Sequence, residues 1–482
     1  MTFPRTTVMA ALVCGLLVSA GVTSCGRPGQ GRTGTTPVLV IGIDGLEWDI
    51  LLPLMAQGEL PHLTGLMARG AAGRLETLEP TLSPVIWTTM ATGKPPAAHG
   101  ITDFTWNDPA TGEKRLFTSR QRRVPAVWTI ASAAGRAVDV AGWWNTWPAE
   151  EINGRMVSQF SSLDQGQRVW KGTVHEGVPD QTWPPELYEA ILPTVRHVAG
   201  QFPEMTADQD LAPAWRMLFP SLPAELTPLE RRLVEDSIWA FRADATYTAI
   251  SEEFLRDQTA DLTLVYLGSP DVAGHRFFRH YRPGAYAHPP RETAVAAFGD
   301  VIPATYRFVD GLVGRLLAAA APGTSVMVVS DHGMQPVNAD KDFEWAFTNS
   351  RRYRLAAVNS GHHLKGEPGV LIAAGPAFRQ AAAAPGLTPA QSAGRPMDSA
   401  AMPRLASVFD LTPTLLDLLD LPVGSDMPGV VLTDILAAGD TGSGRIRYTP
   451  SHDHLQAKIL QKRDQGQDEE RLRQLRSLGY VE

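Results

Sequence analysis

Cysteine is almost missing from this chain. Of 482 residues two are cysteine, Cys14 and Cys25, and both sit in the first 25 positions. Everything after them has neither a disulfide nor a thiol nucleophile. Long apolar runs are missing too: beyond the N-terminus none approaches the ~20 residues that a membrane-spanning helix needs. Basic charge is not in excess, since the formal net charge is -8, so nothing marks a nucleic-acid partner. No internal repeat occurs. What is there is a globular composition, 44% hydrophobic and 20% charged, able to bury a large core and unlike that of a disordered chain.

The N-terminus stands apart. Arg5 precedes an apolar, small-residue stretch over 8–22, which Gly26, Arg27, Pro28 and Gly29 end. That is the pattern of a signal peptide, expected over residues 1–24. Val22-Thr23-Ser24-Cys25 resembles the lipobox of bacterial lipoproteins, in which cleavage precedes a cysteine that receives lipid. The resemblance implies export and membrane anchoring through Cys25. Residues 25–36, rich in Gly, Arg and Thr, read as the tether.

Downstream, residues 38–43 form a short aliphatic run ending in Asp44-Gly45, and similar runs recur at 262–267, 325–329 and 370–373. Such runs suit strands buried on both faces. Helical patterns separate them. Thr227-Pro228-Leu229-Glu230 has capping-box spacing with proline at the first helical position, opening a helix expected to reach about residue 255. Phe308, Leu312 and Leu316 mark another helix, and Leu415, Leu418 and Leu419 a third. The alternation predicts an α/β fold with a mostly parallel central sheet flanked by helices. Tryptophan and proline crowd residues 104–226 and periodicity weakens, which suggests an inserted cap over one end of the sheet. Residues 336–366 and 377–403 read as irregular, and 469–478 as a charged helix.

Open α/β sheets bind ligands beyond the carboxyl ends of their strands. Asp44 follows the first run, Asp271 and His275 lie just past the second, Asp331-His332 follow the third, and His362-His363 precede the fourth. One strand-end aspartate is usually a cap or turn residue; the recurrence of Asp and His at successive strands is the signal. Carboxylate with imidazole suits zinc or a similar divalent ion, and Asp271 and His275 share a face if helical. Separately, Ser83 precedes Pro84 and an apolar helical run. It either N-caps that helix or stands where a helix N-terminus favours phosphate, as a nucleophile that needs activation.

Ile43-Asp44-Gly45, Leu60-Pro61-His62-Leu63, the Ser83 segment through Thr92-Gly93, His99-Gly100-Ile101, Asp271 with Gly274-His275, Ser330-Asp331-His332-Gly333 and Gly361-His362-His363 follow in that order. The series resembles the type I phosphodiesterase/nucleotide pyrophosphatase branch of the alkaline phosphatase superfamily. The likeness spans residues 37–435, with 436–482 as a C-terminal extension. It implies a catalytic domain of alkaline phosphatase-like fold that hydrolyses phosphate esters with two divalent metal ions, zinc or else manganese or magnesium. By motif, Asp44, Ser83, Asp331 and His332 would hold one ion, and Asp271, His275 and His363 the other. His363 is preferred to His362 because the family's histidine lies two positions after a glycine. The family's mechanism is a two-metal clamp for in-line displacement, with Ser83 forming a phosphoseryl intermediate. Ser83 is preferred to Thr81 because it stands ten residues before Gly93, the family's spacing; Thr81 is expected to bond locally and shape the turn.

Departures bear on specificity. The nucleotide pyrophosphatases' asparagine, three residues after the nucleophile, is replaced by Ile86, and the alkaline phosphatases' adjacent arginine by Pro84. Trp87, Lys94, Asn145 and the Arg276/His280 region are the candidates to hold a phosphoryl oxygen instead. Without that arginine, diester or phosphonate-type substrates are favoured over monoesters, and the Trp-rich stretch could receive an apolar group. A sulfatase would need C/S-x-P-x-R at the nucleophile, and Ser83-Pro84-Val85-Ile86-Trp87 lacks it. The alternatives are a phosphotransferase or phosphomutase of the same superfamily, and a surface binding lipoprotein without catalysis, although no metal ligand is missing.

The N-terminal reading is checked by Cys25→Ser. The variant should either leave the membrane fraction or remain an uncleaved precursor; fractionation and processing identical to the parent would refute lipid attachment.

Overall fold

An unbroken aliphatic run makes a stable strand only when both of its faces are covered. β1 (Val38–Ile43) is such a strand, buried at all six residues. The computed structural model describes residues 36–112, 114–159, 179–203, 213–223, 226–337, 360–363, 366–380, 400, 402–437, 445–455 and 458–459. The expected signal peptide, Cys25, the tether and the helix at 469–478 lie outside them.

β1 is central in a nine-stranded sheet. The other strands are β2 (Gly70–Glu76), β3 (Val138–Ala141), β4 (Gly154–Val157), β5 (Thr182–Trp183), β6 (Leu262–Leu267), β7 (Ser325–Val329), β8 (Gly369–Ala374) and β9 (Arg404–Ser407). Their spatial order is β9-β2-β8-β7-β1-β6-β3-β4-β5. β1 pairs in parallel with β6 and β7, and β6 continues in parallel to β3 and β4. β8 runs antiparallel to both β7 and β2, and β5 antiparallel to β4. The expected mostly parallel α/β sheet is therefore present, with two reversed strands.

Three expectations change. The run at 370–373 is a strand but a reversed one, so its amino end lies at the same edge as the carboxyl ends of β1, β6 and β7. Burial on both faces looks the same in sequence whichever way a strand points. Residues 104–226, read as an inserted cap, supply β3, β4 and β5 to the sheet itself; their tryptophans and prolines mask short buried strands. The helix expected from Thr227 to about 255 is two, Pro228–Glu235 and Ile238–Asp257. The capping box forms, with Glu230 accepting from Thr227 N–H and Thr227 Oγ1 accepting from Glu230 N–H. The break comes where Ser237 Oγ donates to the Leu233 carbonyl at 2.6 Å and Ser237 N–H turns to Val234 instead. A hydroxyl has taken the acceptor that the i→i−4 ladder required.

The side chains of β1 alternate between two cores, as strand geometry demands. Leu39, Ile41 and Ile43 pack with the helices Ile238–Asp257 and Val301–Ala319. Val38 and Val40 face Trp87, Trp143 and the helix Leu411–Leu418. Gly42 belongs to this second face. A Cβ there would stand 2.6 Å from the Trp87 ring and 3.1 Å from Trp143, so its lack of a side chain lets Trp87 lie against the strand. Among the described residues no helix is long and apolar enough to cross a membrane.

Gly42→Ala should overpack this face. A loss of about 1–3 kcal/mol is expected from the shift in urea midpoint, and an unchanged midpoint would show that Trp87 is not constrained by the strand.

Candidate metal centre

The sheet edge collects what the sequence scattered. β1 ends at Asp44 and β7 at Asp331 and His332. After β6 the helix Ser269–Tyr281 presents Asp271 and His275 one turn apart. Reversal of β8 brings His363, which precedes it, to the same edge. All six side chains and Ser83 are buried, none more than 5% exposed.

Distances tie them into one cluster. His332 Nε2 lies 3.2 Å from Asp331 Oδ2, 3.3 Å from Asp44 Oδ1 and 3.4 Å from Ser83 Oγ. Asp271 Oδ1 lies 3.2 Å from His275 Nε2 and 3.7 Å from His363 Nε2. The rings of His332 and His363 stack at 3.6 Å. Two overlapping groups, Asp44/Asp331/His332 and Asp271/His332/His363, have donor atoms within 4.8 Å of one another. His332 belongs to both, and His275 joins through Asp271. His362 is only half-buried, on a two-residue strand paired with Gln335.

The donor chemistry calls for a cation. His275 Nδ1 is 2.8 Å from the Gly361 carbonyl, and His332 Nδ1 is 3.0 Å from that of Gly333. A carbonyl only accepts, so both rings donate through Nδ1. In the neutral rings the Nε2 lone pairs then face carboxylate oxygens, acceptor against acceptor. Asp44 Oδ1 and Asp331 Oδ2 are fully buried with no hydrogen-bond partner among the described residues. Such an arrangement is costly in protein alone, and it fits divalent ions held by carboxylate and neutral imidazole.

Electrostatics divide the cluster, with His275 and Asp271 attracting each other and the remaining groups opposed. Burial and then the Asp271 charge push the Asp44 carboxyl up, and burial and then Asp44 push Asp331 well up. Burial would raise Asp271 also, but His275, His363 and His332 around it hold it below the usual range. His275 is held up by Asp271 against its burial, whereas burial and His332 drive His363 well down. Burial and like charges raise Asp44 and Asp331 and lower His363, whereas the pairing of opposite charges lowers Asp271 and raises His275.

The surrounding shell orients the cluster. Asp44 Oδ2 accepts from Tyr266 Oη at 2.6 Å and from Trp87 Nε1 at 3.1 Å. Ser330 Oγ accepts from Leu46 N–H at 3.0 Å and donates to the His332 carbonyl at 2.9 Å, joining the β1 and β7 loops. The Asp244 carboxylate accepts from Gly268 and Ser269 N–H, fixing the start of the Asp271 helix. Gly45 has φ +71°, and a Cβ there would stand 2.8 Å from the Asp271 backbone, so only glycine allows that approach. Thr81 does not bond locally as expected; its hydroxyl donates across the fold to the His363 carbonyl. Tyr266 and Asp244 went unread in the sequence. The available signals were a phenol in an aliphatic strand and a carboxylate on a buried helix face.

Ser83 is the first residue of the helix Ser83–Thr92, whose N-cap is Leu82, and its hydroxyl makes no cap. That resolves the choice between cap and free hydroxyl. All ten residues of the helix are buried. Thr88, Thr89 and Thr92 satisfy their hydroxyls on carbonyls four residues back, as burial requires. The N-terminus has fewer free N–H groups than expected, because Val85 and Ile86 both donate to the Leu82 carbonyl and Pro84 has none. The suggested phosphoryl donors are engaged within the protein. Trp87 serves Asp44, Lys94 pairs with Asp426 and Asp453, and Asn145 Nδ2 donates to Pro84 O and Thr88 Oγ1. Arg276 is buried 3.8 Å from Asp236, and burial followed by Arg279 lowers His280 to about 4. Two histidines of the motif series have other duties. His62 is the second residue of the helix Pro61–Arg69, where the His62 and Leu63 N–H groups go to Asp310, and His99, kept neutral by burial and then Arg122 with its pKa down at about 3, bonds Thr89.

A mostly parallel α/β sheet that gathers buried carboxylates and imidazoles at one edge defines a candidate centre for divalent ions. The profile of the family described as type I phosphodiesterase / nucleotide pyrophosphatase matches residues 38–383. The chain belongs to that family. No curated protein matches it. Among solved structures, human ectonucleotide pyrophosphatase / phosphodiesterase 5 is 16% identical, with 83% of this chain and 99% of that one covered, at TM-score 0.45. Phosphonoacetate hydrolase from Sinorhizobium meliloti 1021 is 20% identical, with 63% and 57% covered, at TM-score 0.36. The chain therefore spans little more than half of that hydrolase. A 2-O GAG sulfatase is 15% identical, with 83% and 73% covered, at TM-score 0.45.

The burial difference between neighbouring histidines gives a test. His363→Ala should lower the metal content measured by elemental analysis by about one ion per chain, since a ligand of a buried site is removed. His362→Ala should keep the parent's content, and the opposite ranking would transfer the assignment to His362.

Proposed function

We propose that this protein is a phosphoric ester hydrolase that cleaves phosphodiesters or phosphonate-type esters with Ser83 as nucleophile and two divalent ions, zinc or else manganese or magnesium. The observation that carries the reading is the facing of histidine lone pairs and carboxylate oxygens beside an uncapped serine hydroxyl. Asp44, Asp331 and His332 with Ser83 would hold one ion, and Asp271, His275 and His363 the other. When bound, such ions supply Lewis acidity that lowers a hydroxyl's pKa and offsets charge on a departing oxygen.

The chain's own groups do the rest. The rigid, fully buried helix holds Ser83 Oγ against the cluster. The bond from Ser83 Oγ to phosphorus forms as that to the leaving oxygen breaks in line, and water then splits the phosphoserine to regenerate the hydroxyl. Leu82, Trp144 and Tyr266, each half-buried, form an apolar margin beside Ser83 and Asp44. That margin supports an apolar alcohol or leaving group. Lys94, neutralised by Asp426 and Asp453, leaves the extra charge of a monoester without an evident partner, and Ile86 at the nucleotide pyrophosphatases' asparagine position argues against nucleotides. The N-terminal pattern supports export and lipid attachment at Cys25, with residues 37–435 as the catalytic domain.

Ser83→Ala should fold, keep at least one metal ion, and lose activity roughly a thousandfold or more, while Thr81→Ala should lose modestly. Acid quenching during turnover of a bis-ester and of a phenyl phosphonate, followed by peptide mass spectrometry, should find phosphorus on Ser83. Label on Thr81, near-normal turnover by Ser83→Ala, or a large kcat/KM preference for nitrophenyl phosphate would overturn the corresponding part of this reading.

A further inference from the structure

Asp44 is held unevenly. Its Oδ2 accepts two hydrogen bonds, from Tyr266 Oη at 2.6 Å and Trp87 Nε1 at 3.1 Å. Its Oδ1 accepts none and points to His332 Nε2 at 3.3 Å. The two donors are themselves fixed. The Trp87 ring stands edge-on to Trp143 at 5.0 Å and to Tyr266 at 5.3 Å. Its far edge lies on Gly42, and Trp143 Nε1 donates to the Trp87 carbonyl at 3.2 Å. The fully buried Trp87 ring cannot turn away without disturbing the core, and Tyr266 is packed edge-on against it.

We propose that Tyr266 and Trp87 are positioning residues that make Asp44 a one-oxygen ligand, reserving Oδ2 and presenting only Oδ1 to the ion it shares with Asp331 and His332. The proposal rests on the two-metal reading above. The physical basis is twofold. An unrestrained carboxylate can rotate or bind through both oxygens, so occupying Oδ2 removes the competing arrangements before the ion arrives. Two donors also draw electron density toward Oδ2 and hold the carboxylate plane, so the lone pairs of Oδ1 are aimed at the acceptor-rich point beside His332 and Ser83. A phenol and an indole suit the task in a buried wall, because each has one polar atom on an otherwise apolar ring.

Tyr266→Phe removes one hydroxyl and keeps the ring. In the full chain, stripped of metal and titrated with Zn²⁺ against a chromogenic chelator, one of the two equivalents should bind about 10–100-fold more weakly. The other equivalent should keep the parent's affinity, and the melting temperature of the metal-free chain should not move. With Co²⁺ in place of Zn²⁺, the d–d absorption of the variant should weaken, because a freed Oδ2 can also coordinate and raise the coordination number. Trp87→Phe should weaken the same equivalent. Parent-like affinity for both equivalents in Tyr266→Phe, or equal loss from both with a lowered melting temperature, would overturn the positioning role while leaving the two-metal reading in place. A parent chain that binds no metal would overturn both.

Discussion

Three carboxylates buried beside three imidazoles at one sheet edge are the constraint around which this structure is arranged. Asp44, Asp271 and Asp331 are as buried as the aliphatic core, yet they lie together. Burial and mutual repulsion raise two of them, while the histidines around the third lower it. Fixed Nδ1 donors turn the lone pairs of His275 and His332 toward the same oxygens. A protein keeps such an arrangement where the opposing charge comes from bound cations.

Much of the surrounding fold serves to hold that cluster still. Gly42 lets Trp87 lie on β1, and Gly45 lets the β1 loop touch the Asp271 backbone. Ser330 links the loops after β1 and β7, and Asp244 anchors the helix that carries Asp271 and His275. These residues lie far apart in the chain, and each satisfies a buried polar group while fixing a distance. The site is therefore as rigid as the core behind it.

The same rigidity narrows the chemistry. Ser83 comes first in a wholly buried helix whose threonine hydroxyls and Val85 and Ile86 N–H groups are already used. Arginine and asparagine are missing at the positions where relatives in the superfamily meet phosphoryl oxygens, and Lys94 is neutralised by two aspartates. Aromatic rings fill the margin instead. This balance of charge and apolar surface is what supports the proposal of a diester or phosphonate-type substrate over a nucleotide.

Legibility in the sequence followed the range of the interaction. β1, β6 and β7, the Thr227 capping box and the family's motif order were readable, because aliphatic runs, i to i+3 pairs and ordered motifs are local or linear properties. Asp44, Asp271, His275, Asp331, His332 and His363 could be named because they follow or precede such runs. The reversal of β8 was not readable, since a strand buried on both faces has the same pattern in either direction, and that reversal brings His363 to the site. Nor was the place of residues 104–226 in the sheet, the break at Ser237, the bond from Thr81 to His363, or the hold of Tyr266 and Trp87 on Asp44. The sequence by itself determined which residue types would stand at strand ends. Tertiary structure decided which atoms meet, because pairing direction and long-range hydrogen bonds are set by packing between segments that no local pattern connects.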